Sequence, residues 1–191
     1  MCPYSKFCWI FGFQIALLAI GTNSYGRRKT WTFEIQSVET TTSDPNIIDL
    51  ELAVERVSRG VYAISGAFDL KTDVVEGDNN QVEALVYRSS DGVEEYKPIP
   101  FKMTRQHVYD AFNGYYKDML MDTLKDCSDL PVFKDKITPP IEKKLYTLTQ
   151  CQFTRDGFAD HVATGFYKVV LYGTGECDWG ITVIAKVEPD I

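Results

Sequence analysis

Histidine is nearly absent from this sequence: His107 and His161 are the only two in 191 residues. No Gly-x-Ser-x-Gly elbow, Cys-x-x-Cys pair, His-Glu-x-x-His motif or phosphate-cradling glycine loop accompanies them. The usual sequence frames for nucleophilic, zinc-assisted or phosphoryl chemistry are therefore missing. Asp160 and His161 are neighbours in the chain, so their side chains are expected to diverge. Carboxylates are plentiful but scattered, and no glycosidase-type pair can be named. The expectation is a non-enzymatic protein with no catalytic residue, metal ligand or cofactor. Positive charge is also short, with 20 Lys and Arg against 27 Asp and Glu. Phosphate backbones are bound by clustered cations, so nucleic acid is not an expected partner. Asn23, Asn46, Asn79, Asn80 and Asn113 all lack a hydroxyl residue two places on, which excludes N-glycosylation.

One long apolar run is present, and there is no second. Phe7 to Ile20 is uncharged, with Lys6 before it and the small residues Ala19 and Gly21 after it. That is the pattern of a secretory signal over residues 1–21, with cleavage after Gly21 or as late as Gly26. A signal anchor is the rival, but Gln14 interrupts the run, which is short for a span of about 20 residues. The rest of the chain, 27–191, reads as one domain with no stable membrane span. Of five cysteines, Cys2 and Cys8 leave with the signal, and Cys127, Cys151 and Cys177 remain. In an oxidising compartment two of the three should pair. Three pairings are open; Cys127–Cys151 is favoured, closing a loop of about 25 residues worth roughly 3–4 kcal/mol on the chain-entropy model. Cys177 is then left over, buried in a strand or free to pair between chains.

Most of the domain reads as short strands. Val61 to Leu70 alternates most cleanly, with Tyr62, Ile64, Phe68 and Leu70 on one side. A Glu-Gly-Asp-Asn-Asn turn leads from it to Gln81–Ser90. Thr40 to Asn46 reads as a loop, and Pro98 and Pro100 confine the strand that holds them to a sheet edge. Val183, Ala185 and Val187 alternate with Thr182, Lys186 and Glu188 as a half-buried strand does. One stretch differs. From Val108 to Leu124 the apolar positions Val108, Phe112, Tyr115/Tyr116, Met119/Leu120 and Leu124 recur in steps of three and four, an amphipathic helix. The predicted architecture is mainly β, a sandwich of eight or nine antiparallel strands in two sheets with one covering α-helix.

A resemblance agrees with that pattern. The order YAISGAFDL, VEALVYRSS, YKPIPFKM, FNGYYKDMLMDTLKDCSDLP, TQCQF, GFYKVVLYGTGECDWG and KVEPD, behind a signal segment, resembles the insect chemosensory protein B family. That family is itself similar to the ganglioside GM2 activator and its lipid-binding relatives. The resemblance implies a secreted β-cup holding a lipid or hydrocarbon, with a role in the chemosensory, especially gustatory, response to pheromone and possession of a receptor as partner. GM2-activator-like proteins carry several disulfides, whereas this chain has cysteines for one.

The residues named as the wall of such a cup are Tyr62, Ile64 and Phe68 on a strand with Phe112, Tyr116 and Met119 on the helix. Their types serve a packed core equally well. With Trp31, Phe166 and Trp179 they are the aromatics most suited to line a cavity if one exists. Gly114, in mid-helix, and the Met119/Met121 pair suggest a movable lid, against the alternative that Gly114 permits close helix–sheet packing. Two functional expectations follow: a carrier of an apolar small molecule, or an extracellular interaction module that presents lipid to a partner enzyme or receptor.

Overall fold

A computed structural model describes residues 29–93, 95–155 and 158–190. The expected signal segment lies outside the described residues. Eight strands form two sheets. β1 (Trp31–Thr42), β4 (Gln81–Ser89), β5 (Lys97–His107), β7 (Gly165–Thr174) and β8 (Trp179–Pro189) make a five-stranded sheet in the order β1-β8-β7-β4-β5. β2 (Ile48–Ser58), β3 (Val61–Leu70) and β6 (Leu145–Cys151) make a three-stranded sheet in the order β2-β3-β6. Every pairing is antiparallel. As the prolines require, β5 lies at an edge, where no second neighbour needs their missing N–H groups.

β1 is longer than its sequence pattern suggested. Thr40, Thr41 and Thr42 pair with Ile181, Gly180 and Trp179 rather than forming a loop. The Thr40 and Thr42 hydroxyls donate to the carbonyls of Leu50 and Ile48 at 2.7 and 2.8 Å. These bonds cross from one sheet to the other, so the two sheets meet along the β1–β2 seam.

On the opposite side the gap is spanned by one continuous helix, α1. It comprises an α turn (Val108–Ala111), a π segment (Phe112–Leu120) and a second α turn (Met121–Leu124). His107 caps its start. The Nδ1 atom accepts from the Tyr109 N–H at 3.3 Å while Nε2 lies 2.7 Å from the Asp78 carbonyl, so the neutral tautomer carries its proton on Nε2. The first turn rests on β4 and β5 through Val82, Met103 and Ala111, and Leu124 packs against Leu148 and Cys151 of β6. The helix thus links the free edges of the two sheets.

Cys127 and Cys151 form a disulfide, with Cα atoms 5.3 Å apart, and fasten the helix exit to β6. A bulge makes this possible. Gln150, at φ 50°, is an extra residue in β6 that lets both Leu148 and Cys151 face inward opposite Gly66 and Ile64. Below the disulfide, Asp129 holds Lys144 at 2.5 Å and accepts the Thr147 N–H at 2.6 Å.

Candidate ligand cup

Register assigns the faces, because residues paired across strands share a side. On the five-stranded sheet one face carries Phe33, Ile35 and Val38 of β1; Ile181, Val183, Ala185 and Val187 of β8; Val169 and Leu171 of β7; and Val82, Ala84 and Val86 of β4. A bulge between Ile35 and Ser37 keeps Ile35 and Val38 on that face. It is almost wholly apolar. The other face carries Glu34, Glu39, Glu83, Lys168, Lys186 and Glu188 and is the outer one. On the three-stranded sheet Leu50, Leu52 and Val54 share a face with Tyr62, Ile64, Phe68, Tyr146, Leu148 and Cys151. The two apolar faces are the inside of the molecule.

This inside is closed at one end. Trp179 lies across Gly173, where an added Cβ would sit 2.1 Å from the indole ring. With Val82, Met103, Val108 and Ala111 it makes a floor. Next to the floor the aromatic cluster is packed: Phe112 and Tyr116 have ring centroids 4.8 Å apart, and Tyr116 stacks on Phe133 at 6.2 Å. The Tyr109 hydroxyl donates to Val74 O at 2.7 Å and accepts from Ile141 N at 3.0 Å, joining the isolated bridge between those residues. Tyr116 donates to Pro131 O at 2.9 Å, and burial pushes its phenol up to about 12.

The other end is open. A cleft of about 120 Å³ lies between Phe33, Glu34 and Ile35 of β1, Gly60, Val61 and Tyr62 at the β2–β3 turn, and Gln152 and Phe153 beyond β6, so its lining is partly polar. Between cleft and floor, Val38, Val169, Val183 and Ala185 sit on the inner face of the sheet yet are only half-buried, while Leu171, also half-buried, packs on the floor. On the same face Ile35, Val82, Val86, Ile181 and Val187 are buried, Val86 directly opposite Val169. An inward apolar residue in a central strand keeps exposure only if the opposing sheet fails to fill the space above it. The inner face thus has a packed floor and, beside it, apolar residues that keep part of their exposure.

The six residues named from the sequence divide between these regions. Ile64 is buried opposite Cys151, and Phe68, Phe112 and Tyr116 belong to the packed cluster near the floor. Tyr62 lines the mouth. Met119 is half-buried, but Leu120 and Met121 rather than Met119 pack on the cluster. The π segment is the reason: its wider turn carries the inward stripe through Phe112, Tyr116, Leu120 and Leu124 in steps of four. Tyr115, grouped with Tyr116 by an α period, is 42% exposed.

The helix is tied down along its length. Asn113 accepts the Ile137 N–H at 2.8 Å and Lys117 donates to Asp135 O at 2.7 Å, in addition to the Tyr109 and Tyr116 bonds and the disulfide. A Cβ at Gly114 would meet nothing within 4 Å, so close packing is not what glycine serves there. Val38, Leu171, Phe33, Phe153 and Arg88 were not singled out in the sequence, and Val183 was named only as part of a half-buried strand. Strand alternation marks each β-strand member as inward or outward, but not which part of the inner face is left unfilled.

Neither histidine assembles a reactive site. His107 is the helix cap, and His161 meets Thr30 Oγ1 at 3.3 Å in an exposed contact. Among the described residues no group of three or more His, Cys, Asp and Glu could hold a metal ion, and no helix is long and apolar enough to cross a membrane. Cys177 is 4% exposed, and its sulfur lies 3.3 and 3.4 Å from the hydroxyls of Thr42 and Ser43.

Residues 82–169 match the family described as "Protein of unknown function (DUF1091)". The match spans β4, β5, the helix, both bonded cysteines, β6 and half of β7. It therefore contains the helix side and the Val82, Met103, Val108 and Ala111 part of the floor, while Gly173, Trp179 and β1, β2, β3 and β8 fall outside it. No curated protein matches the chain significantly.

Proposed function

We propose that this chain is a secreted, non-enzymatic binding protein that carries or presents an apolar small molecule in the cup between its sheets. The observation that carries the reading is the half-buried apolar patch Val38, Val169, Val183 and Ala185 on the inner face. Apolar surface left against water favours an occupant by about 25 cal/mol per Å² covered. The cleft at the mouth is smaller than the roughly 300–1,000 Å³ of typical ligand pockets, so a long-chain occupant enters by parting the sheets at the mouth. The resemblance to the chemosensory protein B family adds the finer reading, a lipid or hydrocarbon handled in the gustatory response to pheromone, with a chemosensory receptor as recipient. The disulfide agrees with an extracellular address.

The test is the organic extract of protein purified from an animal secretory host, analysed by mass spectrometry. Recovery of a stoichiometric apolar compound is expected. A bare protein that also binds no apolar probe contradicts the reading.

A second reading, an interaction module that presents its lipid to a partner, has its own support on the outer face. There Lys168 lies 5.2 and 5.0 Å from the ring centroids of Tyr87 and Tyr96, on a sheet surface that also exposes part of Leu85, Val170 and Ile184.

A further inference from the structure

We infer that the occupant of the cup bears a carboxylate and that Arg88 receives it; this rests on the carrier reading and names its ligand class. Arg88 stands on the inner face, in the row Arg88–Tyr167–Ala185–Ile35 that crosses four strands. Ile35 lines the mouth cleft, so Arg88 lies across the same end of the cup, roughly 14 Å away at three strand spacings. Gly165 lies beside it: a Cβ there would meet the Ser89 carbonyl oxygen at 2.6 Å and would be in ordinary contact, at 3.4 and 3.5 Å, with the Arg88 Nε and Nη2 atoms.

The guanidinium is poorly matched by the protein. Its Nη2 donates to Thr164 O at 2.5 Å, and it also hydrogen-bonds the Tyr167 phenol, whose own proton goes to Ala163 O at 2.7 Å. Its Nε–H is shielded from solvent and finds no acceptor among the described residues. No carboxylate among the described residues forms an ion pair with it, although acidic residues outnumber basic ones 27 to 20. Arginine remains charged at any physiological pH. A buried donor left without an acceptor is costly by itself, and a carboxylate, accepting through two oxygens, matches the planar fork of a guanidinium. Tethering the 158–164 loop through Thr164 needs only one neutral donor, so that role does not explain the charge.

With the head at Arg88, an acyl tail runs along the half-buried Val169 and Val183 toward the floor at Leu171 and Trp179. A single-chain carboxylic acid fits this arrangement better than a neutral hydrocarbon.

The experiment compares decanoate with decanol, two ligands with the same tail, by displacement of a neutral fluorescent probe from the full-length mature protein. At neutral pH the wild type should prefer decanoate by about tenfold or more, the scale of hydrogen bonds to a charged group. The preference should fall away as the pH drops below about 4–5, where the acid is protonated. In Arg88→Gln it should collapse to within about twofold, and in Arg88→Lys, which keeps the charge but not the fork, it should be intermediate. If wild type binds both alike, or if Arg88→Gln retains the preference, the inference is overturned while the carrier reading stands. If wild type binds neither, the carrier reading itself fails. Should Arg88→Gln not fold, the wild-type preference and its pH dependence decide.

Discussion

Tyr116 and Cys177 show how single side chains are committed. The Tyr116 phenol is buried and hydrogen-bonded, and its ionisation is pushed from 10.0 to about 12. A group that holds its proton more tightly when folded stabilises fully below its unfolded value and loses that contribution as pH rises. Stability should therefore fall between about pH 10 and pH 12, and denaturant titration of Tyr116→Phe should show a shallower fall over that interval. At neutral pH the same variant should be about 1 kcal/mol less stable, because the Pro131 carbonyl loses its donor. Cys177 was the leftover thiol of the sequence, with pairing between chains one possible fate. Its ionisation is lowered: burial alone would raise it, but the hydroxyls of Ser43 and Thr42 and the nearby backbone outweigh burial. Access rather than ionisation should govern its reactivity. Alkylation of the native protein should leave Cys177 unmodified, with full modification only after denaturation. Rapid labelling of the folded protein would show that the β1–β2 seam opens.

At the scale of elements, Gly114 separates two ideas about the helix. The lid idea needs a helix free to move, yet α1 is held by the disulfide, by the Tyr109 bond to Val74 before it, and by bonds of Tyr109, Asn113, Tyr116 and Lys117 with the segment that follows it. Gly114→Ala meets no neighbour and should raise stability by about 0.5–1 kcal/mol, with unchanged ligand exchange rates. Slower exchange in a stabilised variant would restore the lid. The strands were largely legible: alternation assigned Tyr62, Ile64, Phe68 and Leu70 to one face of β3, and the prolines placed β5 at an edge. The Cys127–Cys151 pair was a favoured choice among three and is present. What alternation could not reveal was local backbone geometry. Steps of three and four suit an α-helix and a π segment alike, so Met119 and Tyr115 were placed inward with Tyr116. The bulge at Gln150, which aims Cys151, leaves no mark in a hydrophobic pattern.

For the whole molecule, the mouth was illegible for a different reason. Phe33, Tyr62 and Phe153 come together only where the β1 edge of the five-stranded sheet meets the three-stranded sheet, and the sequence offers no spacing that joins them. The sequence could name aromatic candidates but could not divide floor from cup, since both use the same residue types. The division decides which substitution probes the cup. Ile64 is 4% exposed and packed opposite Cys151, so Ile64→Trp would overpack a filled site. Val183 stands half-buried on the inner face. The decisive experiment is therefore the binding of a neutral apolar fluorophore to wild type and to Val183→Phe, with the unfolding free energy of each measured alongside. A real cup predicts saturable binding by wild type, at least tenfold weaker binding by Val183→Phe, and a stability change under about 1 kcal/mol, below the usual cost of overpacking. A wild type that binds nothing, together with a Val183→Phe variant destabilised by about 1–3 kcal/mol, would mean that the interior is a filled core and the protein no carrier.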